Sequence, residues 1–414
     1  MESSASEQIS RSSSLNHLNE ALVLRKLWTE RTISRIELAR TLQINKSTVT
    51  RIVSEFIEAG LIEFIAEGDA SPLGGRKPKY LSINAGFGCV IGIEIRTDVW
   101  EGVAVDLHGT VIDSFSAPGD LVTHGIVGVF LRAVDSMRIR LERSGYRVLG
   151  VGLGVSGIVN HIDGIIYQSK PLTLTTPVNF YEEIADYIDL PVIIENDANC
   201  GCWAEMVMNM AGRAQNFVFV LGEFRLPNPR DFDYESVSVG LGLVLNGAVH
   251  HGKDFSAGEF RSVLWKPGNT TQFSVSDDES HRIRTDPELH RRMLRELCDH
   301  LGFLVNVLNL DAVIFGSSFE FSSDYVVDSL RSAIQRNWSY PNPVACDVRV
   351  ADLGDEIIAY GAAGMLLERL FSVPSISAPE YHGPTLAEVI REDGKELSAS
   401  MNISQRAPDW SFSE

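Results

Sequence analysis

The hydrophobic pattern of the chain changes at about residue 85. Before this point, apolar residues recur at helical spacing in three short segments, and after it short apolar strands alternate with amphipathic helices to about residue 372. Alternating strands and helices are typical of layered α/β domains. We therefore expect a small helical domain over residues 15–84 and an α/β domain over residues 85–372, long enough to form two lobes around a cleft.

Two polar segments flank these predicted domains. Residues 1–14 are rich in serine and are expected to be disordered, and residues 373–414 mix Pro, Ser, Gly and charges and are expected to be loosely ordered. The most apolar stretch, 148–159, is interrupted by glycines and is too short to span a membrane. Without a signal-peptide pattern, and with five scattered cysteines, the sequence predicts a cytoplasmic protein with no membrane insertion.

The first two helices are predicted from spacing and capping. Leucines recur at helical spacing between residues 15 and 28, which predicts a helix that ends near Glu30. Ser34, followed three residues later by Glu37, forms a capping-box pattern and predicts the start of a second, short helix.

A third helix is predicted between Asn45, a suitable N-cap, and Gly60, a suitable C-terminal residue. Its predicted buried face consists of Val49, Ile52, Val53, Phe56 and Ile57. The opposite face of its first two turns carries Lys46, Ser47, Thr48, Thr50 and Arg51. A polar, basic face at the start of such a helix is typical of a helix-turn-helix that reads a DNA operator, although a plain three-helix bundle with a solvated face has the same pattern.

The segment after the third helix predicts a β-hairpin, the wing of a winged helix-turn-helix. Between its two apolar strands lies Gly74–Pro78, which contains Arg76 and Lys77. Extended basic side chains in such a loop can enter a narrow minor groove of DNA. In isolation the loop would be read as a solvated turn, and its place beside the third helix favours the DNA contact.

The acidic net charge of −19 does not exclude DNA binding, because it is unevenly distributed. Residues 1–80 hold 11 basic and 10 acidic residues, whereas the other 334 hold 25 and 45. The acidity therefore belongs to the C-terminal part, and the first domain can bind DNA if its basic residues cluster on one face.

Three polar motifs follow predicted strands of the larger domain. Glu195–Asn199 has the sequence Glu-Asn-Asp-Ala-Asn, Gly154–Gly157 precedes Asn160, and Ala257–Glu259 follows a Gly-x-Gly and an Asn-Gly pair. In this order, and behind a helix-turn-helix, they resemble the ROK family of repressors and sugar kinases over about residues 15–372. The resemblance implies an α/β fold in which a winged helix-turn-helix precedes a two-lobed, actin/hexokinase-like ROK domain.

The same resemblance implies a sugar or sugar-phosphate effector bound by Asn196, Asp197 and Glu259. Carboxylates and amides at strand ends suit this role because sugar hydroxyls both donate and accept hydrogen bonds. In the kinases of the family, the residue at the position of Asp197 is the general base, so here it would be a vestigial base. For any one of these residues, a structural cap or turn is the alternative.

The elements that contact nucleotide depart from the family pattern. Where the kinases have Asp-x-Gly-x-Thr, this chain has Glu94–Asp98, with Arg96 in place of the glycine. The second glycine loop falls on Ser236–Ser238, after an insertion at Gly222–Tyr234, and the third motif reads Gly316–Ser318. The sequence therefore predicts no nucleotide cofactor and no kinase activity.

The zinc-binding pattern of the family is also missing. Glu259 is followed by Phe260, Arg261 and Ser262, and the next cysteine is Cys298, so the family's Cys-rich site cannot form. The sequence thus predicts no metal at that position.

These observations favour a homodimeric or higher-order regulator, most simply a repressor, in which sugar binding changes how two DNA-binding heads are placed. An active ATP-dependent sugar kinase that also binds DNA is the alternative, supported by the retained Asp197. A DNA-binding scaffold that binds no sugar is a third possibility. The sequence names neither the sugar nor the operator.

Overall fold

The structure is a computed structural model that describes residues 2–67, 77–210, 212, 214–224, 237–316, 323–373 and 386. None of the described helices is both long enough and apolar enough to cross a membrane. Of the predicted C-terminal tail, only Val373 and Leu386 fall within the description, and Leu386 is buried in the central core.

The N-terminal domain is a winged helix-turn-helix. Its elements are α1 (Glu2–Glu30), β1 (Ile33–Ser34), α2 (Arg35–Leu42), α3 (Lys46–Glu58), β2 (Ile62–Glu67) and β3 (Lys79–Ile83). The three strands form one antiparallel sheet in the order β1-β3-β2. The capping box of Ser34 and Glu37 and the Asn45 cap are both present, which confirms the predicted starts of α2 and α3.

The first helix differs from the prediction at its start. The backbone is helical from Glu2, whereas the sequence predicted disorder over residues 1–14. Residues 2–30 contain neither Gly nor Pro, so no residue there interrupts the helix.

The first lobe of the larger domain is built on a five-stranded sheet in the order β11-β7-β4-β5-β6, with a small three-stranded sheet, β10-β9-β8, beside it. Its elements are β4 (Cys89–Ile95), β5 (Val99–Asp106), β6 (Val111–Pro118), α4 (Leu121–Arg143), β7 (Val148–Val155), β8 (Ile158–Asn160), β9 (Ile165–Gln168), β10 (Val178–Asn179), α5 (Phe180–Ile184) and β11 (Val192–Asn196). In addition, one turn of 3-10 helix, Ala85–Phe87, links the two domains.

The second lobe has a five-stranded sheet in the order β14-β13-β12-β15-β16. Its elements are α6 (Asp197–Met208), β12 (Phe217–Phe224), β13 (Val237–Leu245), β14 (Ala248–Val249), α7 (Asp277–Ser280), α8 (Pro287–Leu308), β15 (Ala312–Phe315), α9 (Ser323–Arg336) and β16 (Asp347–Val350). A short 3-10 helix, Gly354–Glu356, then leads into the last helix, α10 (Ile357–Leu370).

Helices α6 and α10 form the centre of the molecule. Helix α10 packs against β4, β7 and α6, while α6 packs against β12 and β13. Most of the residues of both helices are buried. The two helices therefore connect the sheet of one lobe to the sheet of the other.

The DNA-binding domain shares its core with this centre. Trp28 of α1 is fully buried, stacks on Phe371 at 4.9 Å between ring centroids, and donates its indole N–H to the carbonyl of Leu107 at 2.9 Å. Arg25 of α1 forms an ion pair with Glu368 of α10 at 2.6 Å. The end of α10 is thus fixed to α1 by both apolar and charged contacts.

We predict that Gln43→Gly stabilises the helix-turn-helix. Gln43 ends α2 with φ of 55°, a left-handed conformation that disfavours a residue with a Cβ, and it is exposed. Removing the Cβ should raise the local stability by about 0.5–1 kcal/mol, net of the greater freedom of glycine in the unfolded chain.

Hydrogen exchange of the amides of α2 and α3 measures this change. Gln43→Ala is the matched control, because it shortens the side chain but keeps the Cβ. Equal protection in both variants would show that the left-handed backbone is not strained.

Candidate DNA-binding face and effector cleft

The start of α3 presents a polar face to solvent. Lys46, Ser47, Thr50 and Arg51 are exposed, and Thr48 is half-buried. The side chain of Asn45 accepts hydrogen bonds from both the backbone and the hydroxyl of Ser47. The capping network therefore fixes the first turn of the helix that would meet DNA.

Arg51 lies within this face but its charge is partly engaged. Its guanidinium pairs with Glu55 one turn later at 2.8 Å, and it also reaches Asn16 of α1 at 3.4 Å. The pair is exposed, so it contributes little to stability and leaves Arg51 able to exchange Glu55 for a phosphate or a base.

The predicted wing is a hairpin of β2 and β3, as the sequence indicated. Lys77 is exposed just before β3, whereas Arg76 lies outside the described residues. On the hairpin, Phe64 is 47% exposed, and the cationic groups of Arg35 and Lys79 lie 5.4 and 5.2 Å from the centre of its ring. The sequence analysis did not select these three residues, because their contact depends on strand pairing.

Asn196 and Asp197 stand at the junction of β11 and α6. Asn196 caps α6 by accepting the N–H of Asn199 at 3.1 Å, and its amide donates to the carbonyl of Gly157 at 3.0 Å. Asn196 therefore ties the loop after β7 to the start of α6, and the structural role considered from sequence is present. Asp197 follows as the first residue of α6 and is half-buried.

Glu259 is brought to the same end of α6 by β13. It forms an isolated antiparallel bridge with Gly240, and a Cβ on Gly240 would lie 3.5 Å from the Cβ of Ala198, the residue after Asp197. Gly258 permits this approach: its φ is +92°, and a Cβ there would lie 1.7 Å from the carbonyl oxygen of Leu241. The three predicted sugar-binding residues thus converge on one region, with Glu259 exposed.

A cleft opens beside Asp197 between the two lobes. The residues that line it are Glu94, Ile95, Arg96, Thr97, Ser156, Pro171, Asp197, Leu221 and Glu223. Asn196 and Glu259 are not part of this lining. The cleft therefore joins Asp197 to the first of the three altered nucleotide elements.

Arg96 lies in this cleft within a group of carboxylates. It pairs with Glu101 at 2.9 Å, and Glu101 lies opposite Glu94 in the pairing of β4 and β5. Burial raises the pKa of Glu94 to about 8, although Arg96 opposes the shift. Burial works to lower the pKa of Arg96, but Glu94, Glu101 and Glu223 outweigh it and raise that pKa. The guanidinium is therefore a permanent cation held by the protein's own acids.

This cluster was only partly foreseen from sequence. Arg96 stood out as the residue in place of a glycine, whereas Glu101 and Glu223 did not. Glu94 and Glu101 each keep one carboxylate oxygen buried, and no described residue bonds to either of these oxygens. Polar groups of a bound ligand would satisfy them.

The other two nucleotide elements are described in part. Val237 and Ser238 lie in β13, paired with Phe224 and Glu223 of β12, while Ser236 lies outside the described residues. Gly316 ends β15, and Ser317 and Ser318 also lie outside the description. The insertion predicted at Gly222–Tyr234 begins within β12, and its remainder from residue 225 is outside as well.

Glu195, at the end of β11, was not selected as a separate site residue. It is 1% exposed, and its carboxylate accepts hydrogen bonds from the backbone of Asn196 and the side chain of Asn199. Burial alone would raise its pKa, but a hydrogen bond from His251 and the nearby His161 outweigh this effect and lower it. Glu195 is therefore a buried, ionised group directly behind Asn196.

The chain is similar to known proteins over both domains. Residues 90–263 match the sequence profile of the ROK family, and residues 17–67 match that of the MarR family. Over 393 residues the chain is 24% identical to the xylose repressor of Bacillus spizizenii, a match that covers 86% of this chain and 96% of that protein.

Solved structures share the fold. A ROK family transcriptional regulator described as a homologue of the E. coli MLC protein superimposes with a TM-score of 0.68 at 18% identity, covering 91% of this chain and 100% of that one. A ROK family glucokinase from Streptomyces griseus, in complex with glucose and AMPPNP, gives a TM-score of 0.50 at 18% identity, over 67% and 99% of the two chains. The chain therefore combines a ROK-family domain with a preceding winged helix-turn-helix of the MarR type, which confirms the resemblance read from its motifs.

Proposed function

We propose that this protein is a sugar-responsive transcriptional repressor that acts on DNA in the cytoplasm. The observation that carries the proposal is the shared core of the two domains, in which α1 of the DNA-binding domain is fixed to α10 of the ROK domain. A relative named as a xylose repressor, similar along both domains, supports the same function.

The proposed DNA contacts are made by the start of α3 and by the wing. These residues are Lys46, Ser47, Thr48, Thr50, Arg51, Arg76 and Lys77. In a homodimer, two such heads would meet two half-sites of an operator, so that the distance between the heads controls affinity. The domain boundaries that go with this proposal are residues 15–84 for DNA binding and 85–372 for sensing.

The proposed effector is a sugar or sugar phosphate bound by Asn196, Asp197 and Glu259. Xylose is the first sugar to test, because the relative is named for it. The buried carboxylate oxygens of Glu94 and Glu101, in the cleft next to Asp197, offer further acceptors, and protonated Glu94 would offer a donor.

A continuous path of packed helices links the effector to DNA. Asp197 starts α6, and α6 is in backbone contact with α10, since a Cβ on Gly361 would lie 1.8 Å from the carbonyl oxygen of Cys200. The other end of α10 holds Glu368, the partner of Arg25 on α1. A movement of α6 on sugar binding would therefore move the helix to which the DNA-binding domain is attached.

We propose that kinase activity is lost. In phosphoryl transfer, catalysis comes from placing the phosphoryl group and neutralising its charge. Here the element that would admit phosphate carries Arg96, whose guanidinium is engaged by Glu101. The alternative, an active sugar kinase, is supported by the retained Asp197.

We predict that Lys46→Ala and Arg51→Ala each weaken operator binding by about 1–3 kcal/mol, because a lost base contact on a recognition helix costs this much. Fluorescence anisotropy on an operator selected from genomic fragments by the wild-type protein measures the effect. Arg331→Ala, an exposed arginine on α9, is the control. Wild-type affinity in both α3 variants would place the DNA-reading face elsewhere.

We predict that sugar binding requires Asp197 and proceeds without phosphorylation. Calorimetry with the best sugar of a panel that includes xylose should show binding to the wild type and none to Asp197→Ala, because the carboxylate accepts a sugar hydroxyl. A coupled assay should detect no ADP above the level without protein. Sugar-dependent ADP release that disappears in Asp197→Ala would instead make the protein a kinase.

We predict that Glu368→Gln weakens the effect of sugar on DNA binding but leaves sugar binding unchanged. Removing this half-buried charge loosens the attachment of α1 to α10, and a reduction of coupling by about 1 kcal/mol would appear as a several-fold smaller ratio of operator affinities with and without sugar.

Glu30→Gln is the matched control for this variant. Glu30 pairs with Lys26 at 2.6 Å within α1 itself, so its removal does not touch the contact with the ROK domain. If Glu368→Gln and Glu30→Gln kept the wild-type ratio alike, the α10 contact would not transmit the response.

A further inference from the structure

Two histidines and one glutamate meet behind the proposed sugar site. His161 follows β8, Glu195 belongs to β11, and His251 lies beyond β14. The Nε2 atom of His251 is 2.7 Å from the Oε2 atom of Glu195, and the rings of His161 and His251 lie 4.0 Å apart between centroids. One ligand atom from each of the three residues lies within 4.8 Å of the other two.

The glutamate of this group is held in position by the surrounding structure. Its Oε1 atom accepts hydrogen bonds from the backbone N–H of Asn196 at 2.8 Å and from the amide of Asn199 at 3.1 Å. These bonds leave Oε2 directed at His251. A carboxylate oriented by outer hydrogen bonds is the usual support of a metal ligand.

We propose that His161, Glu195 and His251 form a binding site for a divalent transition metal ion of the zinc type. Two imidazoles and one carboxylate are a common ligand set for this class of ion, whereas Mg²⁺ and Ca²⁺ prefer oxygen ligands throughout. Ligand atoms around tetrahedral zinc lie roughly 3.3 Å apart. Binding thus requires the His251–Glu195 hydrogen bond to open slightly and His161 to approach.

Three protein ligands leave one coordination position for water or another oxygen ligand. The site uses none of the cysteines, so it is separate from the Cys-rich position for which the sequence predicted no metal. It lies next to the proposed effector residues, because Glu195 directly precedes Asn196 and Asp197, and His251 lies in the segment that leads to Glu259. A bound ion would therefore cross-link three segments that carry this end of the cleft.

The test uses the full-length protein, treated with a chelator and dialysed. Titration with ZnCl₂ in a calorimeter should show about one equivalent bound, and Co²⁺ should give visible absorption typical of imidazole and carboxylate ligands. His161→Gln and His251→Gln should each weaken zinc binding about tenfold or more, since even outer-shell changes cost this much. Asp197→Ala should retain the zinc site while losing sugar, which separates this proposal from the proposed function.

His250→Gln is the matched control, because His250 is exposed and adjacent to His251 in sequence. Circular dichroism and the melting temperature without metal establish that each variant is folded. If His251→Gln did not fold, His161→Gln would decide, since it changes a different segment. Absence of stoichiometric binding by the wild type, or equal binding by His161→Gln and His250→Gln, would overturn the proposal.

Discussion

The close contact of α10 with its neighbours is the constraint on which the rest of the structure depends. A Cβ on Gly361 would lie 1.8 Å from the carbonyl oxygen of Cys200 in α6, and a Cβ on Gly92 in β4 would lie 1.8 Å from that of Ala359 in α10. Any side chain at these two positions would force the layers apart. Because backbone meets backbone here, α6, α10 and the sheet of the first lobe have little freedom to slide independently.

This packing explains why a sugar in the cleft can affect a distant DNA-binding face. The residues that would hold the sugar begin α6, and the residues that hold α1 end α10. At that end, Trp28 is buried by Phe371 and bonded to Leu107, so the small domain completes its core on the large one. A tightly packed interface of this kind responds to displacement by repacking as a unit, which is what a two-state regulator requires.

Local sequence signals predicted the N-terminal domain well. Capping by Ser34 and Asn45 depends on residues within one turn, and the buried face of α3 depends on a simple period, so neither needs knowledge of distant contacts. The fold of the large domain followed from alternating strands and helices and from the family's motifs. The start of α1 was missed because serine-rich composition indicates disorder, although nothing within the segment breaks a helix.

The parts that were missed depend on residues far apart in the chain. The environment of Arg96 arises from the pairing of β4 with β5 and from Glu223 on the other lobe, which no local pattern reveals. Likewise, His161, Glu195 and His251 come from three segments with no metal-binding spacing between them. Motif order located the predicted sugar site because the family resemblance supplied it, whereas the electrostatic environment of the cleft required the structure.

That environment also gives a physical reason for separating sensing from catalysis. A kinase needs an electropositive, open loop that receives phosphate, while a sensor needs only groups that match hydroxyls. In this cleft the cation of Arg96 is offset by Glu101 and by Glu94, whose raised pKa of about 8 favours a neutral carboxylic acid at neutral pH. A phosphate would have to compete with these acids for the guanidinium and meet the repulsion of Glu223. A neutral sugar meets no such repulsion, so the same residues that oppose phosphoryl transfer are compatible with binding its acceptor.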